Sequence, residues 1–346
     1  MPLLMEKERW GAIHGKPASI VRIKANTGKK IEVGLTDYGA RIVSVKTPDR
    51  HGTLSEICLG HETLDGYRKS DPHFGCTAGR VANRIADGKF HLDGRVVQLA
   101  RNEKGKHHLH GGVEGFAKKL WKIEDIADTG DAVLVIFQYE SPHGEEQYPG
   151  TLRSTVVYTV TRDSIGIDYT ATTDLPTVVN LTNHAYWNLA GVNETVHDLD
   201  LVIAASRFAS ADDDSLPTGE LIPVSGTSFD FRKQKTLREP LERLVMIDHT
   251  FVLDKGADMG FSARLHSAST GRELTVETDQ PGIHLYTGNS LDGATAWGKP
   301  CFRHQALCLE TQKFPDAPHH DNFPSIVLRP GETYRHSTRH VFGTRE

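Results

Sequence analysis

Leu152 to Thr161 reads LRSTVVYTVT, a stretch that mixes polar and apolar positions and is rich in β-branched side chains. Such side chains are stiff about χ1 and pack well on a pleated surface, so the stretch predicts a β-strand. Working outward, Ala132 to Phe137 (AVLVIF) is a continuous apolar run of the kind a buried strand shows, and Glu273 to Thr278 (ELTVET) alternates cleanly. Ile31 to Leu35 and Arg41 to Val45 alternate as well. In period-2 patterns of this kind, successive side chains point to opposite faces of a sheet. Turn signals punctuate the strands at Asp49-Arg50-His51-Gly52, Leu92-Asp93-Gly94, Thr129-Gly130, Asp292-Gly293 and Pro330-Gly331. Short strands broken by frequent turns predict a sandwich or barrel. Long helical periodicity is missing; Lys233 to Leu244 is a candidate helix that Pro240 interrupts. With no linker, low-complexity segment or internal repeat, the expectation is all-β: one large antiparallel domain spanning residues 1–346.

Composition sets bounds on partners and compartment. A chain of 346 residues with 38% hydrophobic content can bury a large core without disulfides or metals. Its net charge of −5 is mild and no block of like charge occurs, which argues against nucleic acid or a membrane surface as partner. Cys58, Cys76, Cys301 and Cys308 form no C-x-x-C pair and fit a reducing cytosol. The start, MPLLMEKERWG, has no basic stretch followed by a long apolar run, so neither a secretory signal nor a membrane span is expected. The expected location is the cytoplasm.

Polar side chains capable of chemistry gather in a few short segments. In Gly79 to Ile85 (GRVANRI), Arg80 and Arg84 flank Asn83; an extended backbone would put both arginines on one face and Asn83 on the other. Asn and Arg at the mouth of a pocket can donate hydrogen bonds to sugar hydroxyls. Asn102 to Gly112 (NEKGKHHLHGG) offers His107, His108 and His110, with His108 and His110 sharing a strand face. Glu103 and Glu114 make no metal-ligand spacing with them, so a neutral histidine bonded to a hydroxyl is the economical use. Leu181 to Gly191 (LTNHAYWNLAG) puts His184, a natural acid or base near neutral pH, beside Tyr186 and Trp187, rings that suit the apolar faces of a pyranose. Ile247 to Leu253 carries Asp248, able to accept from two hydroxyls, and Ala306 to Gln312 carries Glu310 behind an apolar run. A carboxylate there is costly to bury unless paired or working, and burial would raise its pKa toward the range of a useful base. No nucleophile elbow, P-loop or dinucleotide fingerprint occurs, so no cofactor is expected.

Taken in order, these segments resemble the aldose 1-epimerase (galactose mutarotase) family. The resemblance lies in GRVANRI (79–85), LHGG (109–112), NHAYWNLAG (183–191), DHTFVL (248–253), PGIHLYTGN (281–289) and LETQKFPDAPH (309–319), with TDYGARIVSV (36–45) similar to the family's opening strands. It implies a large antiparallel β-sandwich with a sugar cleft on one face, and interconversion of the α and β anomers of a free aldose such as galactose or glucose. It further implies Glu310 as general base, His184 as general acid, and His110, Asp248, Arg84 and Asn83 as sugar-binding residues. His284 stands where the family is expected to carry Gln; either side chain can bond a hydroxyl, but His adds a titrating group. The implied chemistry needs no metal or cofactor, and the implied partner is a monosaccharide met by a monomer or weak homodimer. A hexose-6-phosphate epimerase would instead need a basic cluster, for which Arg80 and Arg84 are the candidates. A sugar-binding protein that had lost catalysis would need neither Glu310 nor His184.

Overall fold

The computed structural model of the protein describes residues 3–25, 30–69 and 72–345. The opening stretch forms the strand Leu152–Val160, in which Leu152, Ser154, Val156, Tyr158 and Val160 are buried while the residues between them are half-buried or exposed. The apparent mixture of polar and apolar positions is therefore a true period of two, with serine taking an inward place. It belongs to a nine-stranded antiparallel sheet that runs in the order Lys122–Asp128, Val133–Ser141, Leu152–Val160, Ser164–Thr173, Tyr334–Thr344, Arg272–Thr278, Gly260–Ser267, Leu199–Ile203 and Lys235–Thr236. The apolar run in Val133–Ser141 is covered on one face only, since Leu134 and Ile136 are half-buried.

A six-stranded sheet carries the chemistry. Its order is Tyr186–Trp187, Leu307–Gln312, Gly282–Tyr286, Asp248–Leu253, Ala205–Ala211 and Pro217–Pro223. A five-stranded sheet, Leu3–Ile13 to Leu54–Glu56, follows chain order. One buried apolar cluster joins all three: Val33 and Val45 from the first, Val156, Ile167 and Val276 from the nine-stranded sheet, and Phe251, Ile283, Leu307 and Leu309 from the six-stranded one. Face-to-face burial of sheets in this way makes the sandwich the sequence predicts.

Two details correct or extend that expectation. The helix is Arg238–Leu244, and Pro240 lies in its first turn, where a missing N–H costs no intrahelical bond. Arg41, within the TDYGAR stretch, is fully buried. Its guanidinium donates to the carbonyls of Tyr38, Phe74 and Ala117 and lies 4.3 Å from the Tyr67 ring centre, tying together segments far apart in sequence. Among the described residues, no helix is long and apolar enough to cross a membrane.

Candidate active site

Strand register lays out the floor of the site. Thr250 pairs with His284 and His284 with Glu310 across three adjacent strands; two residues along, Asp248 pairs with Tyr286 and Tyr286 with Cys308. Because strand side chains alternate between faces, Cys308 and Glu310 point one way and Leu309 and Thr311 the other. Thr311 confirms this: its hydroxyl meets His336 Nε2 at 3.1 Å and Thr338, both on the nine-stranded sheet.

Loops bring the remaining groups over this floor. His184 follows the short strand Thr182–Asn183, paired with Thr77–Ala78. Its N–H donates to Cys76 O at 2.9 Å, and its carbonyl accepts from Gly75 N–H at 2.9 Å. Gly75 has φ +63, and a Cβ there would lie 1.9 Å from Ile42 O, so no other residue fits against the backbone at this point. Asn183 braces the turn, its amide donating to Gly75 O and to Tyr158 Oη. Tyr186 stacks under the His184 ring with centroids 5.1 Å apart. Trp187 faces the other way, into the core against His340 and Phe342, and is no part of the site.

At the centre, His184 Nε2 lies 3.6 Å from Glu310 Oε1, and both side chains are almost wholly buried. Among the described residues, Glu310 Oε2 has no hydrogen-bond partner. Burial drives the Glu310 carboxyl well above its ordinary pKa; the nearby Asp248 charge adds to the rise and Arg84 opposes it. A buried carboxylate with a free oxygen beside a histidine has the geometry to exchange a proton with a hydroxyl.

Arg84 and Asp248 form the polar rim. Arg84 Nε donates to both oxygens of Glu103, at 3.1 and 2.9 Å, and one terminal nitrogen lies 3.3 Å from Asp248 Oδ2. Asp248 Oδ1 lies 2.7 Å from His284 Nε2, and His284 Nδ1 lies 2.8 Å from Thr250 Oγ1. Burial alone would lift the Asp248 pKa, but the His284 hydrogen bond and the nearby His284 and Arg84 charges carry it well below the ordinary carboxylate range. Asp248 thus remains an anion with lone pairs to spare. Both ring nitrogens of His284 are engaged by protein atoms, so the ring acts on Asp248.

His110 completes the cluster. Its ring centre lies 4.9 Å from that of His184 and 4.8 Å from that of His73, a half-buried residue the sequence did not single out. The Asn83 N–H donates to His110 Nδ1 at 3.1 Å. Burial, then the charges of His73, His184, Arg84 and His284, hold the His110 pKa well below its ordinary value, so the ring is neutral. A neutral ring accepting at Nδ1 must carry its proton on Nε2. His110 is therefore a hydrogen-bond donor.

That tautomer decides the question of a metal. Donor atoms of His110, His184 and Glu310 lie within 4.8 Å of one another, close enough to enclose a cation. A ligating nitrogen must offer a lone pair, and His110 offers a proton instead. The set fits an oxygen-bearing substrate better than an ion.

Several expectations change in detail. The segment 79–85 is not a continuous extended strand: Asn83 adopts φ +63 and only Arg84–Ile85 is strand. The two arginines consequently part. Arg80 is buried away from the rim, donating to Pro149 O, Gly150 O and Ser141 Oγ. Asn83 Oδ1 accepts from Arg84 N–H, so its oxygen serves the loop. His108 and His110 do not share a face, because His110 leaves the strand at φ +49; His108 bonds Tyr148 Oη and Ala100 O instead. Glu103 and Cys308, which hold Arg84 and touch His184 Nδ1 at 3.4 Å respectively, had no signal in the sequence beyond their residue type.

A family model described as aldose 1-epimerase matches residues 21–340. The galactose mutarotase of Bos taurus is 42% identical over 316 residues, covering 89% of this chain and 90% of that protein. The aldose 1-epimerase of Escherichia coli K12 is 36% identical over 339 residues, 95% of this chain and 96% of its own. Among solved structures, an aldose epimerase homologue from C. elegans superposes with a TM-score of 0.84 at 32% identity, covering 92% of this chain and 97% of that one.

Proposed function

The chain belongs to the aldose 1-epimerase family, and from that premise we propose that it interconverts the α and β anomers of free aldoses, galactose or glucose, with Glu310 as base and His184 as acid. The observation that carries this reading is the buried His184–Glu310 pair, 3.6 Å apart, with one carboxylate oxygen unpartnered. Glu310 takes the proton of the C1 hydroxyl while His184 gives one to the ring oxygen. The bond from C1 to the ring oxygen breaks and the open-chain aldehyde forms. Rotation about the adjoining carbon–carbon bond presents the other carbonyl face, and closure with the two roles exchanged yields the other anomer. Each proton transfer by a positioned group supplies about 10²–10⁴-fold. His110 Nε2–H, Asp248 and Arg84 hold the remaining hydroxyls, with Asn83 and His284 fixing His110 and Asp248. Residues 1–346 serve as one catalytic domain, in the cytoplasm, as a monomer or weak homodimer. Freshly dissolved α-D-glucose and α-D-galactose should lose optical rotation faster in proportion to added protein; decay at the rate of the buffer alone would sink the reading.

A phosphorylated sugar is disfavoured by where the arginine charges go. Arg84 is shared between Glu103 and Asp248, and Arg80 is spent on buried carbonyls. Glucose 6-phosphate should therefore turn over more slowly than glucose in the same polarimetric assay.

Asp248→Asn removes the charge that Arg84 and His284 share. Hydrogen bonds to charged groups contribute about 1.5–3 kcal/mol, so KM for the sugar should rise about tenfold or more, with a smaller change in kcat. Steady-state kinetics check this; an unchanged KM would remove Asp248 from the binding rim.

A further inference from the structure

His184 is gripped by two side chains of one strand. Glu310 Oε1 faces its Nε2 at 3.6 Å, and Cys308 Sγ lies 3.4 Å from its Nδ1. Cys308 and Glu310 are two residues apart on Leu307–Gln312, so the pleat aims both at the same ring. Tyr186, the register partner of Cys308, closes the lower face of the imidazole. Nothing in the proton transfers described above uses the sulfur, although it is wholly buried against the acid.

We propose that Cys308 is a positioning residue: its thiol holds His184 at Nδ1, keeping Nε2 aimed between Glu310 and the substrate ring oxygen and helping the imidazolium retain its proton. This rests on the reading of His184 as the acid. In the neutral ring left once Nε2 has given up its proton, the remaining N–H is on Nδ1 and donates to sulfur, so Nε2 keeps the lone pair it needs to take a proton back on ring closure. In the imidazolium, Nδ1–H donates to sulfur. Burial, and then the neighbouring Glu310 charge, push the Cys308 thiol well above its ordinary pKa, so it stays neutral in both states. The titratable and charged groups facing His184 among the described residues include Glu310 and Cys308 from the strand below, Tyr186 stacked on the ring, Tyr286 at its side, and His110 and His73 from the loops; Asp248, Arg84 and His284 stand at the rim. Cys308 makes the contact with Nδ1, and so it is the residue whose removal alters that nitrogen directly.

The test is the pH profile of kcat and KM for the wild type, Cys308→Ala and Cys308→Ser. Partners that orient a working side chain are typically worth about 10–100-fold, so Cys308→Ala should lose about tenfold or more in kcat, with KM changed less than about twofold. The limb on which activity falls with rising pH should move to lower pH by ~0.5 unit or more, because the imidazolium has lost an acceptor. Cys308→Ser keeps a donor and acceptor at nearly the same place and should retain most of kcat, with that limb unmoved or shifted upward. A Cys308→Ala profile that superimposes on the wild type after scaling, or a loss confined to KM, overturns the proposal. A second measurement needs no variant and no assumption about the reaction. In ¹⁵N-histidine NMR of the wild-type protein at alkaline pH, neutral His184 should be the Nδ1–H tautomer; an Nε2–H tautomer overturns the assignment. Failure of the wild type to accelerate mutarotation would count against the enzymatic reading alone.

Discussion

Replacing Glu310 by glutamine is expected to slow anomer interconversion by about 10²–10⁴-fold while making the protein more resistant to heat at alkaline pH. The first effect follows because glutamine keeps the shape of the side chain but cannot accept the C1 hydroxyl proton. The second follows from burial. The folded pKa of Glu310 lies above its unfolded value. The protonated form therefore favours the folded state, and this contribution is fully present below the unfolded pKa. It is lost as pH rises through the folded pKa, where the chain must hold an ion in a dry site. Glutamine is never ionised and escapes that loss. Melting curves for the two proteins should nearly coincide at about pH 4 and separate at about pH 9, with the variant higher. Polarimetry and thermal denaturation on the same preparations check both halves. Near-wild-type rates would remove Glu310 from the chemistry, and equal stability at alkaline pH would mean that its carboxylate is solvated.

His184→Gln should cost about as much, about 10²–10⁴-fold in kcat, with KM for the sugar changed far less. Glutamine reaches a similar place and offers an N–H, but it cannot pass a proton on. The distinguishing readout is again pH. The wild-type profile should be bell-shaped, with two macroscopic values that belong to the Glu310–His184 pair, since the groups are only 3.6 Å apart. With His184 replaced, the fall in activity at high pH should vanish from what remains. A variant that loses activity but keeps the full bell would place the acid elsewhere in the cluster, with His110 and His73 next in line by distance.

Strands were legible where alternation was strong. Arg272–Thr278 and Leu152–Val160 lie where the pattern put them, because a half-buried sheet imposes a period that few residues can mask. The residues proposed as acid, base and rim were legible as residue types in short segments whose order resembles one family. What they touch was not. Asn83 adopts a left-handed backbone, which turns Arg84 toward Asp248 and sends Arg80 elsewhere, and a reading that assumes extended chain misses this. His284 looked like a ligand for sugar, yet both of its nitrogens are taken by Asp248 and Thr250, partners fixed by pairing between strands far apart in sequence. Cys308 sits in an apolar run, where a thiol reads as one more small core residue. Glu103, nineteen residues from Arg84, has no local pattern at all.

The register of the floor has one more effect. If the strand carrying Glu310 slipped by one residue against Gly282–Tyr286, Glu310 would turn into the interior and Leu309 would enter the cleft. The same slip would force Thr311 away from His336 and leave a charge among Leu307, Ile283 and Phe251. Misalignment of the reacting groups and collapse of the apolar interior are therefore one event. A population of these molecules should contain active copies and unfolded copies, with no class that is folded but miswired, so the loss of activity on titration with urea should track the loss of tertiary structure without a lag.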